Sequence, residues 1–276
     1  MKIKCGDFNL EATLESGQVF GFAKNGRGRY QGLLKGHPVE IWQTSGDLHA
    51  QNGSAPLSID TVRHYFDLDK DLSGIYSILS SEPALAPALK HFRGLRLIRQ
   101  DPWEALACFI ISSNNNVKRI MGIYRNLTEY FSCRGTACRA PTFPDPTQIS
   151  KTHERILRQL GLGYRAPFFS RTATFLAHNP SYLKTIGDSE YEEAKARVIS
   201  FPGIGPKVAD CVLLYGFHKL EAFPVDVWIW RLMKKLYFKN RNIAEARVRV
   251  FGMNRWGENA GYIQQYLFHS ARMGVL

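Results

Sequence analysis

Phe201-Pro202-Gly203-Ile204-Gly205-Pro206-Lys207-Val208-Ala209-Asp210-Cys211 is the stretch on which the reading of this chain turns. Gly203 and Gly205 bracket Ile204 between two segments of helical periodicity, so the backbone there can turn tightly and approach another surface closely. Pro206 suits the first position of the second helix, where a missing N–H costs nothing, and Gly216 suits its stop. Backbone N–H groups at such a turn can hold a DNA phosphate without reading bases. An ordinary αα-hairpin would carry the same Gly-x-Gly. Lys207 then falls in the first turn of the second helix, where the positive end of the dipole disfavours an ammonium and favours the neutral amine a nucleophilic lysine requires. Cys211 follows one turn later on the same face. A phosphate contact or a solvated lysine is the plainer alternative.

Working outward, Phe223-Pro224-Val225-Asp226-Val227-Trp228 comes next. Asp226 immediately precedes an apolar-periodic helix and can cap it. The same dipole keeps a carboxylate ionised there, close to a developing positive charge; a pure N-cap is the competing reading. Asp210, three residues from Lys207, could pair with the lysine, but a structural role is expected of it.

Periodicity divides the rest of the chain in two. Segments at Gln18–Phe22, Tyr30–Leu34, Val39–Gln43 and Leu48–Gln51 are separated by Asn25-Gly26, Gly36-His37-Pro38 and Ser45-Gly46-Asp47, which predicts an antiparallel sheet. A helical segment over Thr61–Phe66 follows it. From about Pro83 the period is helical, with helices expected over 103–112, 117–131, 147–160, 167–178, 191–200, 206–215, 227–238 and 262–273. The fold class is therefore α+β, a sheet domain over 1–92 followed by a helical domain over 93–276.

Composition narrows the function. Of 276 residues, 36 are Lys or Arg and 24 Asp or Glu, giving a formal charge of +12, and 45% are hydrophobic. A globular core and a polyanionic partner, most simply nucleic acid, fit these values. Cys133 and Cys138 are the close pair among five cysteines, and no further Cys or His near them completes a zinc site. No four-cysteine cluster suits an iron–sulfur centre. Neither a membrane span nor a signal peptide is read, so an intracellular location is expected, cytoplasmic or nucleoid in a prokaryote and nuclear in a eukaryote.

The Gly-Ile-Gly hairpin, the lysine directly after it and the downstream Pro-Val-Asp together resemble the helix-hairpin-helix DNA glycosylase superfamily. The lysine resembles that of its bifunctional members, and Val-Ala-Asp-Cys looks like the 8-oxoguanine DNA glycosylase/lyase branch. Ser16-Gly17-Gln18, Ser112-Ser113-Asn114-Asn115-Asn116 and Leu160-Gly161-Leu162-Gly163-Tyr164-Arg165 extend the likeness over nearly the whole chain. The resemblance implies a TBP-like N-terminal sheet and an all-α glycosylase domain with its hairpin near 201–206. It also implies excision of a flipped 8-oxoguanine, opposite cytosine, through a Lys207 Schiff base, followed by β-elimination, in base-excision repair.

In that resemblance Asp226 stabilises oxocarbenium-like charge. The Gly17 carbonyl reads the N–H that oxidation adds to the purine, Cys211 and Phe268 sandwich the base, and Gln264 bonds its Watson–Crick edge. Asn114, Arg119, Tyr164 and Arg165 fill the gap and hold the orphaned cytosine, and Gly203 and Gly205 meet the DNA backbone. No cofactor or metal is required; the partner is duplex DNA with a damaged base, met by a monomer away from membranes. One departure stands out: some relatives carry a phosphate-contacting His where this chain has Trp228. A glycosylase for another damaged base, a monofunctional alkyl-base or mispaired-adenine enzyme, and a non-catalytic hairpin that only binds DNA are the alternatives.

Overall fold

Turn chemistry and alternation build the first layer. The computed structural model describes residues 1–53, 57–132 and 142–276. Five antiparallel strands, β1 (Lys2–Lys4), β2 (Phe22–Lys24), β3 (Tyr30–Leu34), β4 (His37–Thr44) and β5 (Asp47–Asn52), lie in the order β1-β5-β4-β3-β2. Alternate residues Val39 and Ile41 of β4 and Leu48 and Ala50 of β5 point inward, as a one-sided sheet demands. They close a core with Ile3, Phe8, Leu10, Leu14, Val62, Tyr65 and Phe66.

Helices supply the rest. The chain adds α1 (Leu10–Glu15), α2 (Ile59–Tyr65), α3 (Ser73–Ser81), α4 (Ala86–Phe92), α5 (Pro102–Ser112), α6 (Val117–Ser132), α7 (Pro146–Ser150) and α8 (Glu154–Leu157). It continues with α9 (Ala166–His178), α10 (Tyr182–Asp188), α11 (Tyr191–Ile199), α12 (Pro206–Gly216), α13 (Val227–Tyr237), α14 (Glu245–Trp256) and α15 (Ala260–Met273). Ile75 and Leu79 of α3 and Ala88 of α4 belong to the helical core, so these two helices face that part of the molecule and not the sheet.

Several local expectations are corrected. The segment 18–22 is a turn up to Phe22, because the fully buried Gln18 amide satisfies backbone groups that a strand would have paired. Its Oε1 accepts the Ile98 N–H at 2.7 Å, and its Nε2 donates to the carbonyls of Thr13 (3.1 Å) and Arg96 (2.8 Å). The single helix expected over 147–160 is broken. Asp145 and Gln148 close a capping box on α7, His153 Nδ1 re-caps α8 at the Arg155 N–H, and a π-type turn over Arg158–Leu162 holds Gly161 at φ +105°. β1, α1, α3, α4, α10 and α14 were not anticipated as elements. Gly216 ends α12, but its bare backbone has a further use: a Cβ there would sit 3.0 Å from Ala105 Cβ and 3.3 Å from Pro102 Cα of α5.

The two layers are riveted at Asp67, whose φ is +50°. Its carboxylate accepts Arg99 Nε at 3.0 Å and the Tyr262 hydroxyl of α15 at 2.9 Å, with His218 Nε2 at 3.4 Å. Arg96 donates to the carbonyls of Asp67, Lys70 and Asp7. Burial opposes ionisation of Asp67, but the nearby His218 and Arg99 outweigh it and hold the carboxyl well below the usual aspartate range. A depressed folded-state value means that this stability is present above the ordinary aspartate pKa and is lost as pH falls through the depressed one. Asp67→Ala is expected to cost about 3 kcal/mol at neutral pH by leaving Arg99 and Tyr262 unpaired. The difference from the parent should narrow in strong acid, as read by denaturant unfolding across pH.

Candidate active site

The hairpin and α12 form as the sequence dictates. Gly203 takes φ +80°, and a Cβ on it would lie 2.6 Å from the Phe168 ring, so both conformation and space call for glycine. Gly205 differs. Its φ is −96° and nothing lies within 4 Å of where its Cβ would be, so the fold itself does not require glycine there. It caps α12, its carbonyl accepting the Ala209 N–H at 3.0 Å, with Pro206 at the first helical position and Lys207 next.

Lys207 is half-buried, its Nζ standing 5.8 Å over the Phe109 ring and reaching the Cys211 thiol. Burial pushes the Cys211 thiol up to about 11 against the opposing charge of Lys207, so it is neutral at physiological pH. Asp210 does not pair with Lys207. It is buried against Tyr191 Oη (2.5 Å), Lys195 Nζ (2.6 Å) and Arg249 Nε (3.1 Å), which anchor α12 to α11 and α14. Asp226 caps α13, its Oδ1 accepting the N–H groups of Trp228 (3.0 Å) and Ile229 (2.9 Å). Its charge is felt at both Cys211 and Arg272. Trp228 and Val227 beside it are about half exposed, at 44% and 50%.

A further wall comes from both ends of the chain. Gly17 has φ +81°, and the position of a Cβ on it lies 3.3 Å from Phe268 and 2.5 Å from Arg272 Nη1. Gln265 Nε2 donates to the Ser16 carbonyl at 3.1 Å while its Oε1 accepts the Tyr215 hydroxyl at 2.5 Å. That one side chain ties the Gly17 turn, α15 and α12 together: Gln265 is one helical turn from Phe268, and its partner Tyr215 one turn from Cys211. Gln264 donates Nε2 to the Pro224 carbonyl at 3.0 Å; its Oε1 is buried with no partner among the described residues.

A second group lies around Asn114, which has φ +48° and is exposed. Arg165 is 2% exposed and gives Nε (2.8 Å) and Nη2 (2.5 Å) to the Ser113 carbonyl and Nη2 (2.8 Å) to that of Asn114. The Tyr164 hydroxyl bonds the Ser113 carbonyl at 3.1 Å, and its ring, 51% exposed, lies 4.4 Å beneath the Arg165 guanidinium. Asn116 caps α6 through the Arg119 N–H at 2.9 Å, leaving the Arg119 side chain exposed. Arg165 thus shapes the Asn114 loop, a use the sequence did not suggest. Phe109, Pro224, Gln265 and Arg272 were also missed; only Arg272 had a legible signal, its spacing of four and eight residues from Phe268 and Gln264.

Elsewhere, a cavity of about 830 Å³ between β2–β4 and α6 contains none of these residues. Among the described residues no three His, Cys, Asp or Glu side chains gather as a metal set, and no helix is long and apolar enough to cross a membrane. Cys133 and Cys138 lie outside the described residues.

Comparison with known proteins decides the family. Residues 1–106 match the model of the 8-oxoguanine DNA glycosylase N-terminal domain, and residues 107–258 that of HhH-GPD superfamily base excision DNA repair proteins. The chain belongs to the 8-oxoguanine DNA glycosylase branch of the HhH-GPD superfamily. It is similar to a probable N-glycosylase/DNA lyase of Methanothermobacter thermautotrophicus, with 34% identity over 100% of this chain and 97% of the relative. It also resembles the N-glycosylase/DNA lyase OGG1 of Arabidopsis thaliana, 28% identical over 97% of this chain and 78% of that one. Among solved structures, the Clostridium acetobutylicum 8-oxoguanine glycosylase/lyase, in complex with double-stranded DNA containing cytosine opposite 8-oxoguanine, superposes with a TM-score of 0.89. Identity there is 29%, covering 98% of this chain and 93% of the other. This HhH-GPD enzyme is of the N-glycosylase/DNA lyase class, in the α+β architecture that the sequence predicts.

The two hairpin glycines should separate experimentally. Gly203→Ala is expected to lose about 1–2 kcal/mol from its positive φ alone, with the Phe168 contact adding to it, whereas Gly205→Ala should stay within about 0.5 kcal/mol of the parent. Chemical denaturation of both variants checks the difference.

Proposed function

We propose that this enzyme excises 8-oxoguanine opposite cytosine from duplex DNA and then cleaves the strand. The observation that carries the reading is Lys207, half-buried at the first turn of α12 and touching Cys211. Asp226 and the Gly17–Phe268 wall complete the site.

The bond to be broken is hidden in the duplex, so the nucleotide must be extruded into the protein first. Lys207 Nζ then attacks the anomeric carbon and expels the base; the C1′–O4′ bond of the resulting aminal breaks, O4′ takes up the proton the nitrogen gives up, and the opened sugar is left joined to Lys207 as an imine. The imine acidifies the adjacent sugar position, and β-elimination breaks the strand on the 3′ side. Asp226, fixed by two backbone N–H groups, offers negative charge to the oxocarbenium-like centre.

The base site supports a purine. Gln264 has its amide nitrogen turned to Pro224, which presents Oε1 as a buried acceptor with no donor among the described residues. A guanine-type Watson–Crick edge, with its adjacent N–H donors, supplies what that oxygen lacks. Cys211, neutral and polarisable, suits one face of the ring and Phe268 the other. The left-handed Gly17 turn brings backbone without a side chain to the site, and its carbonyl is the acceptor for the N–H peculiar to the oxidised ring. Tyr164, half exposed and braced on Ser113, is shaped to enter the gap in the stack. Asn114, Arg119 and Arg165 bring donors that suit an orphaned cytosine. Gly205, which the fold leaves free of steric demand, suits close approach of a phosphate to the start of α12.

Borohydride added during turnover of an 8-oxoguanine duplex should trap a covalent complex with the parent enzyme and none with Lys207→Gln. Absence of trapping in the parent, or its persistence in the variant, overturns the Schiff base. Asp226→Asn should slow the chemical step by about 100-fold or more while DNA affinity changes little. Single-turnover excision opposite each of the four bases should be fastest opposite cytosine; equal rates reject that preference.

A further inference from the structure

Arg272 occupies the last turn of α15, on the face that carries Gln264 and Phe268. Its guanidinium lies 5.5 Å from the Phe268 ring centroid, and Nη1 presses on the Gly17 turn. Nη1 is buried and has no hydrogen-bond acceptor among the described residues, and no carboxylate there comes within ion-pair distance. Asp226 and Glu15 act on it only from further away, while burial pulls its pKa down. His269 beside it, packed on Phe92 with ring centroids 4.2 Å apart, is pushed down to about 4 by burial and then by the Arg272 charge. His269 is therefore neutral, and Arg272 is the cation at this wall.

Arg272 as a whole is half-buried, but its Nη1 edge is shut off from water and lacks an acceptor among the described residues, which is costly for a cation, so its persistence in the wall of a site implies an anionic partner that arrives with the substrate. A backbone phosphate is one anion available; the departing base is another. Nη1 turns toward Gly17 and Phe268, the wall assigned to the purine, and is shielded from solvent. That placement suits the base better than a phosphate outside.

We propose that Arg272 acts in base excision by stabilising the negative charge that collects on the purine as it leaves. The inference rests on the proposed excision of 8-oxoguanine. In that step the electron pair of the C1′–N9 bond stays with the base, while the Lys207 amine supplies the pair for the new C1′–N bond. The alkylated amine sheds one proton and the purine anion takes one up, so charge is balanced at the end but separated in between. A preorganised cation stabilises that separation without solvent reorganisation. Cleavage at a site that has already lost its base involves no such anion.

The test compares single-turnover rates on two duplexes, one holding 8-oxoguanine and one holding a preformed abasic site. Arg272→Met should slow base excision by about 100-fold while abasic-site cleavage stays within about twofold, and Arg272→Lys should recover much of the excision rate. Equal slowing on both duplexes would mean a phosphate contact or a structural role and overturns the proposal; an unchanged excision rate overturns it too. Arg272→Gln takes the place of the Met variant if thermal melting shows the latter unfolded. A parent enzyme that cuts the abasic duplex yet leaves 8-oxoguanine untouched would refute the assigned base, an outcome visible before any variant is measured.

Discussion

The constraint on which this molecule depends is that α12 is buried all the way round. Every residue from Val208 to Tyr215 is covered, including Asp210. An amphipathic helix needs one partner, but a helix without a wet face needs a surrounding wall. α5 supplies part of it, pressed close enough at Ala105 that Gly216 leaves no room for a side chain. α11 and α14 supply the part that neutralises Asp210, through Lys195, Tyr191 and Arg249. α15 closes the remainder with Gln265 on Tyr215. Only the first turn escapes, and Lys207 stands there. The nucleophile candidate is thus the open end of an otherwise sealed element, fixed by packing on every side but one.

Such a helix is legible in a sequence for a physical reason. Val208 to Tyr215 is apolar apart from one Asp, and it is bounded by Gly-Pro at one end and Gly at the other, so periodicity and punctuation agree. Antiparallel strands with short Gly-containing turns are legible likewise, and β3 came out at its full extent of Tyr30–Leu34. Elements set by distant partners were not. Gln18 reads as the start of a strand because nothing local reveals that its amide will serve Thr13, Arg96 and Ile98. α14 is mostly polar around its circumference, and its place is fixed by three buried residues, Val248, Gly252 and Trp256, and by the ion pair of Arg249 with Asp210.

The site divides along the same line. Lys207, Cys211 and Asp226 are close in sequence to signals that stand out by themselves, a hairpin and a helix cap. Gly17, Gln264 and Phe268 came only with the family likeness, because no local pattern links a turn near residue 17 to a helix near residue 265. Arg165 shows how an identity can be read while its environment cannot. A sequence reports a cation available for DNA; the fold spends three of its hydrogen bonds on two carbonyls and thereby holds Asn114 in a left-handed conformation. A polar loop is held by a charge that is almost wholly buried.

The Gln265 bridge also bears on synthesis. It joins residues 249 positions apart, so the wall made by Gly17, Phe268 and Arg272 cannot assemble until α15 has emerged. A chain still on the ribosome can already contain Lys207, Asp226 and a finished hairpin, and so could cling to nucleic acid through the hairpin. It would have no chamber in which to hold an extruded base. The order in which the polypeptide is made thereby separates the capacity to touch DNA from the capacity to hold a base taken out of it.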